Sequence, residues 1–333
     1  MRNKWTDREI DLAKNLLGQS ETIGEACRRL EKFGISVTKD ALHTAFTRHV
    51  GSPPRDYLSV VTHPESADEL TREEVTGLPD GNLIVDDDTT GGYTVIIPDC
   101  HFPYHSESAW QVTLKAIRKL KPERIVVIGD FGDCYTISSF GKSPHRQQML
   151  KHELDLIREG FNQLFDVSNC PVDFTEGNHE FRLETYLCRN APALYGLVTM
   201  KDLITRDHPE TRWVPYRKHL KVGRVLYTHD LGYAGVYAGH HTLRAAGANT
   251  IFGHTHRSGL VTDGDHTGDR RFSLNIGWLG DISQIDYMHQ LQAKDWINGF
   301  GVLYTDKSTG LIWPSFVPVL NNSCHVGGHY IKL

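Results

Sequence analysis

The chain is 333 residues long, 39% apolar, 10% aromatic and 23% charged, values of a globular protein that exclude fibrous and wholly disordered readings. Its 41 acidic residues against 36 basic ones give a net charge of −5, so charge alone does not mark a polyanion binder. No apolar run approaches the ~18 residues that a bilayer helix needs, and the first residues are charged with no signal-peptide core, which points to a cytoplasmic protein without a membrane partner.

Charge divides the chain in three. Residues 1–56 carry ten Lys/Arg and eight Asp/Glu, residues 57–90 carry Arg72 against nine acids, and residues 91–333 are nearly balanced. In the first part, Thr6-Asp7-Arg8-Glu9 and Thr22-Ile23-Gly24-Glu25 fit capping boxes, in which hydroxyl and carboxylate satisfy the free N–H groups of a helix start. Apolar spacing predicts two short helices there and a third over 38–49. The pattern resembles a helix-turn-helix, with Lys39, His43, Thr44, Thr47 and Arg48 on or near the outer face of the third helix, the element such folds lay in the DNA major groove. A small helical bundle for protein contacts is the alternative. Residues 57–90, with Pro64, Pro79-Asp80-Gly81 and the run Asp86-Asp87-Asp88, read as an acidic linker.

The third part alternates β-rich runs with helical periodicity. Runs at Tyr93–Pro98 and Arg124–Gly129 end in Asp99 and Asp130, and Trp110, Leu114, Ile117 and Leu120 repeat at helical spacing between them. A second helix is expected from Leu150 to Leu164. The run Val172–Thr175 leads to Gly177-Asn178-His179, the run Arg224–Thr228 to His229, and Asn249–Phe252 to His254-Thr255-His256. Further β-like segments are Arg271–Ile276, Gly301–Tyr304 and Leu311–Val319. Five strands thus each deliver metal-capable side chains at their C-terminal ends, where open α/β sheets build their sites.

Each fragment alone is an everyday turn or cap. Together, carboxylates and imidazoles favour an intermediate divalent metal such as Mn, Fe, Zn or Co. Residues i and i+2 of an extended segment share a side, so Asp99 and His101 can grip one ion, and His254 and His256 can flank a shared centre if the turn begins there. The glycines before Asp130, Asn178 and His254 suit a turn close to an ion, because the backbone passes without a β-carbon and tolerates positive φ. The same alternation turns Cys100 away from the metals. The six cysteines form no CxxC pair, so free thiols are expected.

Asp99-Cys100-His101, Gly129-Asp130-Phe131-Gly132-Asp133, Gly177-Asn178-His179-Glu180, His229 and Gly253-His254-Thr255-His256 resemble, in order, the five motifs of calcineurin-like metallophosphoesterases. The likeness spans about residues 93–320, and Gly177–Leu187 with Trp296-Ile297-Asn298-Gly299-Phe300-Gly301 most resembles the bacteriophage and prophage branch. The resemblance implies a four-layer α/β/β/α sandwich with a dinuclear metal site, manganese first among Mn, Fe, Zn, Ni and Co. It places Asp99, His101 and His256 on one ion, Asn178, His229 and His254 on the other, and Asp130 between them. A hydroxide shared by the ions would attack phosphorus in line, His179 would protonate the leaving oxygen, and Asp133 would orient His179.

Two positions depart from the family. Cys134 stands where an arginine is frequent, with Arg182 as the candidate replacement for phosphate binding, and Asp230 follows His229 where glycine is usual. Trp278 or Tyr287 is either a stacking surface for a base or a core aromatic. The leading expectation is hydrolysis of DNA phosphodiesters, with nucleic acid as partner. The alternatives are a phosphomonoesterase, a cyclic-nucleotide phosphodiesterase, and a non-catalytic DNA-binding factor.

Overall fold

Every residue of β3 (Arg124–Val127) and β4 (Val172–Thr175) is buried, the condition of strands covered on both faces. Their side chains alternate between two cores. Val95 and Ile97 of β2 (Gly92–Ile97) face one core with Ile125, Val127 and Phe174, whereas Ile96, Val126 and Ile128 face the other. The computed structural model describes residue 30 and residues 83–86, 91–139, 142, 149–264, 266–284 and 293–333. The chain divides into two units, Met1–Arg72 and Glu73–Leu333, and the fold below is that of the second. Apart from Leu30, the helix-turn-helix-like segment lies outside the described residues.

The first sheet has the order β12-β11-β2-β3-β4-β5, with β5 at Arg212–Val214, β11 at Gly299–Thr305 and β12 at Ile312–Pro318. Strands β2 to β5 run parallel, and β11 and β12 are antiparallel additions. The second sheet contains β1 (Leu83–Asp86), β6 (His219–Val222), β7 (Val225–Thr228), β8 (Asn249–Phe252), β10 (Arg270–Ile276) and β9 (Ser258–Gly264), in that order. The two sheets pack face to face through Ile96, Val126 and Ile128 against Leu220, Tyr227, Ile251, Leu274 and Ile276.

Helices cover the outer faces. In α1 (Glu107–Leu120) Ser106 caps the start by accepting from Ala109 N, and Lys121, at φ 50°, ends the helix. Its buried stripe of Trp110, Leu114 and Ile117 joins that of α2 (Leu150–Val167), Leu154, Ile157 and Phe161, over the first sheet. Two shorter helices, α3 (Arg182–Asn190) and α4 (Met200–Ile204), follow β4. On the second sheet, α5 (Ala238–Ala246) lies with Gly239 against Val261, and Ser273 Oγ donates to Gly239 O at 2.7 Å. The architecture is the expected α/β/β/α sandwich. No helix among the described residues is long and apolar enough to cross a membrane.

One expectation fails at the edge. Leu83–Asp86, within the stretch read as linker, is strand β1 and pairs in parallel with β6. Asp86 Oδ2 accepts from Arg124 Nη2 at 2.9 Å and Arg212 Nη2 at 2.7 Å, and both arginines also bind Asp173. A four-residue apolar run ending in acids carries too little periodicity to read as a strand, and the acid is neutralised by partners that lie far along the chain.

Candidate metal centre

The five candidate segments leave the C-terminal ends of β2, β3, β4, β7 and β8. Backbone hydrogen bonds hold their turns side by side: His101 N donates to Asp130 O at 2.9 Å, Asp133 N to Phe102 O at 2.9 Å and Gly253 N to His229 O at 3.1 Å. His101, Asp130, His254 and His256 have φ of 57°, 48°, 67° and 59°. Left-handed backbone at a non-glycine residue costs on the order of 1–3 kcal/mol and gathers at functional sites. Positive φ was expected at the glycines instead, and of those three Gly129 alone has it, at 88°. Gly177 and Gly253 serve close approach: a β-carbon at Gly177 would collide with the backbone N and carboxylate of Asp130, and one at Gly253 with the carboxylate of Asp99.

The ligand atoms form two groups. In the first, Asp99 Oδ2 lies 3.2 Å from His256 Nε2, which lies 3.0 Å from His101 Nε2. In the second, Asn178 Oδ1 is 2.9 Å from His229 Nε2 and 3.0 Å from His254 Nδ1, and Asp130 Oδ2 is 3.3 Å from His229 Nε2. All seven side chains named from the sequence are thus at the centre, with Asp130 grouped with His229 and His254. His254 and His256, both with left-handed backbone, fall into different groups and so flank the centre from its two sides.

The donor set fits a cation. His229 Nδ1 donates to Ile128 O at 2.9 Å, so the neutral ring turns a lone pair at Nε2 towards the oxygens of Asn178 and Asp130. His101 likewise commits Nδ1 to Asp133 Oδ1 at 3.1 Å and turns Nε2 inward. Acceptors facing acceptors at such distances repel unless a positive charge sits among them. Burial opposes charge on His229, but Asp130, Asp99 and Asp230 outweigh it and raise its pKa well above the ordinary histidine value. Burial likewise opposes charge on Asp130, but His179, His229 and His101 hold it well below the usual carboxylate range. A proton or a divalent ion satisfies the same arrangement, and carboxylate with imidazole is the ligand chemistry of Mn, Fe, Zn and Co.

Beside the first group, His179 Nδ1 donates to Asp133 O at 3.0 Å and lies 3.0 Å from Asp133 Oδ1, which also receives His101 Nδ1, so carbonyl and carboxylate of one residue orient two rings. Arg182, the candidate phosphate binder, is engaged internally: Nη1 donates to Asp133 O at 2.6 Å and Nη2 to His179 Nε2 at 2.9 Å. The histidine therefore carries its proton on Nδ1 and accepts at Nε2. Cys134 is buried with φ 51° and fills the departure position with a turn rather than a cation. Asp230 caps its own loop by accepting from Gly232 N at 2.6 Å.

The sequence pattern gives Glu180 no role of its own beyond its motif. It is fully buried, and its carboxylate accepts from the N–H groups of Asp130, Gly132 and Gly177, each at 2.9 Å. One side chain thereby binds the turns after β3 and β4 together. Trp278 is a core aromatic, 2% exposed, stacked on His256, so the base-stacking reading does not hold for it; Tyr287 lies outside the described residues. Cys100 points away from the ligands and donates to Pro98 O at 3.3 Å, and burial raises its thiol well above the ordinary value. Lys39, His43, Thr44, Thr47 and Arg48 lie outside the described residues.

No family model matches the chain. It is 27% identical over 256 residues to the Gene 54 protein of Mycobacterium phage D29, covering 71% of this chain and 96% of that protein. The corresponding protein of Mycobacterium phage L5 is 26% identical over 258 residues, covering 70% and 96%. Among solved structures, the chain is similar to Vps29 from Entamoeba histolytica complexed with zinc, at 15% identity, TM-score 0.37 and coverage of 70% and 96%. It is also similar to the nuclease MPE of Pseudomonas putida, at 13% identity, TM-score 0.28 and coverage of 67% and 87%.

Proposed function

We propose that the chain is a dinuclear-metal-dependent phosphoesterase that hydrolyses phosphodiester bonds of DNA. One observation carries the reading: five strand ends deliver two adjoining groups of inward-facing acceptors, Asp99, His101 and His256 beside Asp130, Asn178, His229 and His254. The first three are assigned to one ion and Asn178, His229 and His254 to the other, with Asp130 shared and manganese the first choice of metal. Bound dications of this kind supply Lewis acidity towards phosphoryl oxygens and make an attacking water acidic at neutral pH.

The remaining residues hold and move protons. Asp133 keeps the His179 ring fixed through Nδ1, which leaves Nε2 as the atom that protonates the departing oxygen. Arg182, on the Nε2 side of that ring, is assigned to the substrate phosphate; when it turns to an incoming oxygen, Nε2 is released to take a proton from solvent, which it then passes to the departing oxygen. The preference for DNA rests on the first 56 residues, whose helix-turn-helix-like pattern with Lys39, His43, Thr44, Thr47 and Arg48 would raise the local substrate concentration by tethering.

Incubation of the full chain and manganese with labelled single- and double-stranded DNA, bis(p-nitrophenyl) phosphate and p-nitrophenyl phosphate tests the reading. DNA and diester cleavage, abolished in Asp130→Asn, is expected. Intact DNA with rapid monoester turnover rejects the diesterase assignment, and no turnover of any ester rejects the enzyme.

A further inference from the structure

The side chains of α3 sort by face. Leu183 and Leu187 are buried. Glu184 turns to Tyr195, whose hydroxyl donates to it at 2.6 Å. Arg182, Tyr186 and Arg189, spaced i, i+4 and i+7, share a third face. That face lines a cavity of about 310 Å³ together with Ser138, Ser139 and Asn178. Because Asn178 also belongs to the second ligand group, the cavity adjoins the metal centre at one end and reaches Arg189 at the other.

The wall has the parts of a strand-binding track. Tyr186 is 42% exposed, although aromatic rings ordinarily bury most of their area. Arg189 is exposed, and no ion pair engages it among the described residues. Seven residues of helix span about 10 Å, the length of about three stacked nucleotides at ~3.4 Å each. An aromatic face beside spaced cations is how proteins hold unpaired nucleic acid, since every base offers a π-face once it leaves the duplex stack. A phosphomonoester brings no second phosphate to Arg189, and an acidic peptide brings no planar partner to Tyr186.

We infer that this groove is the subsite for the nucleotides flanking the scissile phosphate of a single-stranded segment. Tyr186 stacks on a base and Arg189 takes the neighbouring phosphate. This rests on the phosphodiesterase reading above and narrows it to unpaired strands or frayed ends.

Fluorescence anisotropy of a labelled single-stranded DNA hexamer, titrated with the full chain in EDTA so that nothing is cleaved, tests the groove directly. Such a strand offers no major groove to a helix-turn-helix. Tyr186→Ala is expected to weaken binding about tenfold or more, and Tyr186→Phe, which keeps the ring, by no more than about twofold. Arg189→Ala is expected to weaken binding and to lower the slope of log affinity against log salt by about 0.7, with Arg189→Lys restoring the slope. Absence of hexamer binding by the wild type, variants that bind as the wild type does, Tyr186→Phe failing as badly as Tyr186→Ala, or tighter capture of a phosphopeptide would each overturn the assignment. Loss of the hexamer in the variants of a chain that cleaves no diester leaves the groove standing and removes the phosphodiesterase. DNA cleavage with unchanged hexamer binding removes the groove alone.

Discussion

Trp278 stacks on His256 with ring centroids 4.9 Å apart and planes 16° from parallel. Trp296 meets the same imidazole edge-on at 4.1 Å, and the buried His256 Nδ1 has no hydrogen-bond partner among the described residues. A metal-binding histidine is usually fixed by an acceptor on its second nitrogen; here two indoles hold the ring by contact. Trp278→Leu is therefore expected to weaken manganese binding by about tenfold or more, the scale of losing an orienting partner, as read by titration calorimetry. Addition of manganese to the wild type should also change tryptophan emission, and the change should shrink in the variant. Equal affinities would show that packing does not orient this candidate ligand.

Glu180 supplies the carboxylate that three N–H groups from two turns converge on. Replacing it with Gln keeps the volume but puts an NH₂ group against N–H donors. A buried charge-assisted hydrogen bond lost in this way costs about 1.5–3 kcal/mol, so Glu180→Gln should lower the thermal midpoint followed by circular dichroism by several degrees. Because the turns it holds carry Asp130 and Asn178, the folded fraction should also bind less metal. A variant with wild-type melting and metal content would show that the turns stand without it.

What was legible in the sequence follows from how each residue does its work. Asp99, Asp130, His229 and His254 each end a β-rich run, so a local pattern exposes them. Glu180 could not be assigned a role, since its partners are backbone N–H groups near positions 130 and 177 and no spacing encodes them. Strands β5 and β6 have three and four residues, too few for a period, and β1 hides in an acidic stretch. Alternation gave Cys100 its direction correctly, and His254 and His256 do flank the centre, although left-handed backbone rather than an extended chain brings them there.

The cluster Asp86–Arg124–Asp173–Arg212 joins β1 of one sheet to β3, β4 and β5 of the other. Arg124 and Asp173 are nearly inaccessible, whereas the Arg212 side chain is 31% exposed. Removing one partner of a buried pair leaves an uncompensated charge and costs about 3–5 kcal/mol. Asp173→Asn should therefore destabilise strongly in urea titration, and Arg212→Gln much less because water reaches its place. Equal effects of the two would contradict the burial argument.

His219 on β6 donates from Nδ1 to Thr228 Oγ1 at 2.8 Å, and Thr228 in turn donates to Asp230 O. Burial lowers its pKa, and the opposing pull of Asp230 is too weak to restore it. The unfolded chain therefore takes up a proton at this residue as pH falls below ~6.5 while the folded chain does not. Stability should be lost on acidification from pH 7 towards 5, and less steeply in His219→Gln. Parallel curves of unfolding free energy against pH for the two proteins would remove His219 as the cause.

His179 and Asp133 make separable predictions. His179 Nε2 is assigned to protonating the leaving oxygen, a service that an alkoxide of deoxyribose needs and a p-nitrophenolate, stable as an anion, does not. His179→Ala should lower kcat about 10²- to 10⁴-fold on a dinucleotide but less than about tenfold on bis(p-nitrophenyl) phosphate. Asp133 touches both His179 and His101, so Asp133→Asn disturbs a candidate metal ligand as well as the acid, and both substrates should slow together. If His179→Ala slowed both esters equally, the ring would be holding the site rather than passing a proton, and Arg182, its neighbour at 2.9 Å, would be the next residue to examine for charge on the departing oxygen.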